Sequence, residues 1–121
     1  MTHRVSRALI GLQLLALLVG TQMPGAWRSG AVQALHAPSW VSSLAHFGLF
    51  AGMAMALAAR PLAWPAARIV LAALALALLT EGLQFLAIDR HPRWLDVGID
   101  LAGTLAGVGL INMVSLCFAR R

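Results

Sequence analysis

The chain has 121 residues, 60% of them hydrophobic and 11% charged, with a formal net charge of +5. Soluble domains hold roughly 45–50% apolar residues, and a chain this short has no interior large enough to hide the excess, so the composition excludes a water-soluble globule and points to the bilayer as solvent. The basic residues are all arginine and lie scattered at Arg4, Arg7, Arg28, Arg60, Arg68, Arg90, Arg93, Arg120 and Arg121; with no basic stripe and no interleaved aromatics, they do not form the footprint of a nucleic-acid partner.

Crossing ~30 Å of hydrocarbon takes about 20 helical residues, and four stretches approach that length. The first runs from about 8 to 23 and stops at Pro24-Gly25. Its basic start and apolar run share features with a secretory signal, but no small-x-small cleavage site follows, so a retained helix is expected. The second, 41–59, carries no formal charge and ends at Arg60-Pro61. The third, 66–88, has Arg68 near its start and Glu81 well inside, and the fourth, 95–119, holds Asp96 and Asp100 in its first turns. Proline in each connection helps to stop the helix before it. Trp27, Trp40, Trp64 and Trp94 all fall in connections or at span edges, as an aromatic belt requires. Cys117 is the sole cysteine, which excludes an intrachain disulfide and a cysteine metal cluster. The expected fold is all-α: a polytopic membrane protein whose four transmembrane helices form one bundle over residues 1–121.

Arginines set the orientation. Arg4, Arg7, Arg60, Arg68, Arg120 and Arg121 share one side, against Arg28, Arg90 and Arg93 on the other. The positive-inside rule then predicts both termini in the cytoplasm.

All four acidic residues, Glu81, Asp89, Asp96 and Asp100, lie within twenty consecutive positions. A carboxylate in a span needs a partner or a wet cavity, so this clustering marks a site. At a rise of ~1.5 Å per residue, Glu81 is expected about 10 Å below its span end, and Asp100 and His46 about 7 Å below theirs, all toward the outer side. Above them the third connection offers Arg90, His91 and Arg93. Asp96, Asp100, Gly103 and Gly107 fall on one helical stripe, where the glycines permit close approach of another helix. Glu81 and Gln84 share a face of the third helix. Gly48 and Gly52 form a second small-residue pair, on a different side of the second helix from His46. The first span, with only Gln13 and glycines inside it, reads as a packing element.

The combination His46-Phe47, Glu81-x-x-Gln84, Arg90, Asp96-x-x-x-Asp100, Gly103 and Gly107 closely resembles the VanZ-like family, small bacterial membrane proteins named after a teicoplanin-resistance protein. The likeness covers the second to fourth spans. Two departures stand out: Ser42-Ser43 occupy the place of the family's usual Asp-Lys pair, and Asp100 the place of its usual asparagine. The resemblance implies four helices in a bacterial cytoplasmic membrane and a role in the cell envelope, with an effect on teicoplanin susceptibility in some members; it implies no reaction.

Besides a proton or ion pathway, which the apolar inner halves of the spans disfavour, three functional readings compete. In the first, a shallow outer-leaflet site binds an anionic envelope lipid or polyprenyl-linked precursor, with Arg90 and Arg93 on its phosphate and the acids below accepting hydrogen bonds. In the second, His46 and the carboxylates serve as a general acid–base set of an enzyme acting on a lipid-linked phosphate, although the sequence has neither an obvious nucleophile nor a paired metal motif. In the third, the polar groups only neutralise one another and lock the helices. No cofactor or metal is expected, and the glycine pairs serve contacts within one chain or between chains equally well.

Overall fold

The computed structural model describes residues 2–36, 38, 40–86 and 91–119. Five helices follow in chain order: α1 (His3–Gln22), α2 (Gly25–Ala34), α3 (Val41–Ala58), α4 (Ala66–Gln84) and α5 (Trp94–Ala119). Four of them, all but α2, are long and apolar enough to cross a membrane, which makes the chain a polytopic membrane protein.

Each helix boundary has a local cause. The Thr2 hydroxyl accepts the Val5 N–H at 3.4 Å and starts α1 at His3, five residues before the apolar run begins, because a capping residue and a polar first turn are invisible to hydropathy. Pro24 and Pro65 stand directly before α2 and α4, where a missing N–H costs nothing. The predicted end of the third span at residue 88 needs correction. Although Phe85 and Leu86 keep the composition apolar, α4 ends at Gln84, and the Phe85 and Leu86 N–H groups bond to Gly82 and Leu83 in tighter three-residue turns. Glu81 therefore sits only about 5 Å below the helix end, not 10 Å.

The first connection also differs from the expectation of a plain loop. Gly25–Ala34 is a helix whose ten residues cover about 15 Å, half of what a span requires. Its glycines, Gly25 and Gly30, read as breakers in sequence. Its less exposed side, through Gly25, Arg28 and Val32, turns toward the bundle.

Helix α3 is the hub. It packs most closely against α5, which runs parallel to it, and also touches α1 and α4. Leu17, Phe50, Ala77 and Val97 from four helices form one buried cluster, and Ala54, Ile69 and Val108 form another. Gly103 and Gly107 allow the α3–α5 approach: a Cβ on either would collide with the carbonyl oxygens of Phe47 and Ala51. The expected pairing of Gly48 with Gly52 does not hold. A Cβ on Gly48 would meet nothing within 4 Å, whereas one on Gly52 would lie 2.6 Å from Gln13 Nε2 of α1. The positions that meet α5 are Phe47 and Ala51, each one residue earlier, so about 100° around the helix. Gln13 of α1 thus packs against the Gly52 position of α3. Leu12, Leu71, Leu116 and Phe118 point outward and are exposed, as an apolar solvent permits.

Candidate functional site

The polar residues gather where α1 ends, α4 ends and α5 begins, beneath α2. Two sets of bonds organise them. In the first, His46 Nδ1 of α3 lies 3.0 Å from Asp100 Oδ1 of α5. The Asp100 side chain is wholly buried and His46 nearly so, and Gly103 sits one turn below on the same face of α5, so the pair meets where the two backbones come closest. Asp100 Oδ2 has no hydrogen-bond partner among the described residues.

In the second set, Glu81 Oε2 accepts the Arg93 backbone N–H at 2.7 Å and Glu81 Oε1 accepts from Gln84 Nε2 at 3.3 Å. The carboxylate faces the amino-terminal end of α5, where a helix leaves its first N–H groups unpaired and carries partial positive charge. Both Glu81 and Gln84 are buried. The expectation of one constellation thus resolves into two directly bonded groups, α3 with α5 and α4 with α5.

Residues that sequence reasoning passed over complete the site. The Arg28 guanidinium of α2 donates to the Ser42 hydroxyl at the first turn of α3. On one side of Arg28 opens a cavity of about 430 Å³, lined by Arg28, Ser29, Gln33, Gln84, Arg93 and Asp96. On its other side a smaller cavity of about 260 Å³ reaches His46 between α1 and α3. Arg28 and Val32, one helical turn apart, border both. In sequence Arg28 served only to count charge; the signal that it faces inward is its four-residue spacing to Val32, which has meaning only once residues 25–34 are known to be helical.

Compared with protein-family models, with curated proteins and with solved structures, the chain matches none.

Of the residues singled out in sequence, Gln84, Arg93 and Asp96 line the larger cavity, His46 lines the smaller one, and Asp100 is packed away behind it. Glu81 borders a further hollow of about 350 Å³ with Phe85, His91 and Trp94. Arg90 lies outside the described residues. Among the described residues no three of His, Cys, Asp and Glu assemble as metal ligands. The larger cavity holds two guanidinium groups against one carboxylate, beside hydroxyl and amide groups. Such an arrangement suits an oxyanion carried on a hydrogen-bonding body, because arginine's fork of donors matches phosphate geometry.

Proposed function

We propose that this protein is a VanZ-like membrane protein of the bacterial cytoplasmic membrane, with the α2 end facing outward and both termini in the cytoplasm, and that it binds the headgroup of an anionic envelope lipid or polyprenyl-linked precursor. The observation that supports this reading is the cavity of about 430 Å³ that Arg28 and Arg93 line together with Gln84 and Asp96. The two arginines take the phosphate, while Gln84, Ser29 and Gln33 hydrogen-bond to sugar or amide groups. An altered glycopeptide susceptibility follows if the bound molecule is a cell-wall precursor.

The locking role belongs to a different subset. Asp100 is sealed from the cavity and paired to His46, and Glu81 is engaged by Gln84 and by the Arg93 amide. These two groups hold α3, α4 and α5 in register beneath the binding residues.

The test is titration of the purified, detergent-solubilised protein with a short-chain polyprenyl phosphate. Saturable binding that Arg28→Ala and Arg93→Ala each weaken by at least roughly tenfold supports the assignment, a loss of charge-assisted hydrogen bonds being worth about 1.5–3 kcal/mol. Binding that is absent, or indifferent to both substitutions, overturns it. Chemical turnover of the probe, abolished in His46→Ala, would move the protein to the enzyme class instead.

A further inference from the structure

The opposite end of the bundle, which plays no part in the reading above, carries its own groove. Between α1, α3 and α4 lies an apolar cavity of about 250 Å³ bordered by Leu14, Phe50, Leu57, Ala72 and Leu76. It shares Ile10, Leu14, Leu57 and Trp64 with a more open hollow of about 480 Å³ that reaches Arg7. The two form one continuous groove, apolar at depth and basic at its mouth.

Its dimensions are those of a single leaflet. From Arg7 to Leu14 on α1, and from Arg68 to Leu76 on α4, the helices rise about 10–12 Å, which carries the groove from the arginines close to the midplane of a ~30 Å hydrocarbon core. At the mouth the Arg68 guanidinium lies 4.0 Å over the Trp64 ring. Tryptophan at this height marks the headgroup level, and the ring face holds the cation beside the groove.

Charge decides the occupant. The described acidic residues Glu81, Asp96 and Asp100 all lie at the α2 end, whereas Arg4, Arg7, Arg60 and Arg68 crowd the groove end without a carboxylate among the described residues there. A neutral or zwitterionic lipid would leave these charges uncompensated, and a soluble anion would leave the apolar depth unfilled.

We infer that this groove is a binding site for an anionic glycerophospholipid of the leaflet at the amino-terminal end of α1, with one acyl chain along Leu14, Leu57 and Leu76 and the phosphate between Arg7 and Arg68. The site is independent of the α2-end cavity and stands or falls separately from it.

The experiment is native mass spectrometry of the protein released from nanodiscs of equal parts phosphatidylglycerol and phosphatidylethanolamine. Wild-type protein is expected to retain phosphatidylglycerol in clear excess over the bilayer ratio. Arg7→Gln and Arg68→Gln each lower that excess, by roughly fivefold per arginine removed. Ala72→Phe, which fills the groove without touching a charge, lowers the number of retained lipids of either kind. Introduced in an Arg28→Ala background, at the other end, the two arginine changes lower the excess by the same factors as in the wild type. Arg7, Arg68 and Ala72 are exposed, so their variants are expected to fold, and circular dichroism in the same nanodiscs verifies it. Retention at the bilayer ratio in the wild type, or an excess that survives both arginine changes, overturns the assignment; so does a lipid count unaltered by Ala72→Phe.

Discussion

The Glu81 carboxylate of α4 accepts the Arg93 backbone N–H at 2.7 Å, so the last turn of one helix caps the first turn of the next. The bond crosses the α4–α5 connection and fixes where α5 starts. It also orients Arg93, because a residue whose amide is anchored has fewer ways to present its side chain to the cavity. Glu81→Leu leaves that N–H without its acceptor in a buried setting, at a cost of about 1–3 kcal/mol, and Glu81→Gln, which keeps an acceptor but loses the charge, costs roughly half as much. Hydrogen exchange of the amides at 93–96 should quicken in that order while the amides of α3 keep their protection. Equal exchange in all three proteins would show that the carboxylate does not cap α5.

The His46–Asp100 contact makes a different prediction, because it joins two spans rather than two ends. In membranes such interhelical bonds are worth on average about 0.6 kcal/mol and at most about 1.7, since polar groups find other partners in the unfolded state. A double-mutant cycle with His46→Ala and Asp100→Ala, read by unfolding in mixed micelles, should give a coupling within that range. Asp100→Asn retains an acceptor for the imidazole and should keep part of it. Additive effects of the two alanine changes would remove the pair from the account of α3–α5 packing.

The glycines separate close packing from mere composition. Gly48 has open space where a side chain would go, and alanine there gains about 1 kcal/mol of helix propensity, so Gly48→Ala should be neutral or stabilising. Gly103→Ala and Gly107→Ala must push the Phe47 and Ala51 backbone away, which overpacking data put at about 1–3 kcal/mol. Thermal unfolding in one detergent, with the three variants side by side, tests the contrast. A Gly103→Ala protein as stable as Gly48→Ala would mean that the α3–α5 approach is looser than described.

These contrasts also show what a sequence carries and what it does not. The spans were legible because lipid demands long uncharged runs, and α3 and α5 begin and end within a residue of the expected places. The stripe of Asp100, Gly103 and Gly107 was legible because helical periodicity alone places them together. The choice between Gly48 and Ala51 was not, because any run of small residues offers several faces and only the partner helix selects one. Helix α2 was hidden for a related reason: ten residues with two glycines give no span-length signal, and the inward side of the helix exists only against the cavity that it covers. Arg28 was lost with it, and the anion-binding role fell in sequence to Arg90 and Arg93 alone.

Arg28 therefore bears the last prediction. Its guanidinium bonds to Ser42 and, with Val32, forms the side of α2 that faces the bundle. Because α2 buries no residue fully, this polar anchor holds a larger share of the segment than a single bond would in a buried helix. Arg28→Ala should leave the global unfolding midpoint almost unchanged while the amides of 25–34 exchange faster, consistent with the opening of a locally weak unit. Ser42→Ala should do the same to a smaller degree, and the two changes together should add little beyond Arg28→Ala, since both remove one interaction. Arg93→Ala, which alters the same cavity from the residue just before α5, should leave the exchange of α2 untouched. If Arg28→Ala leaves α2 as protected as before, the helix is held by its apolar contacts, and the guanidinium is free to serve the bound anion alone.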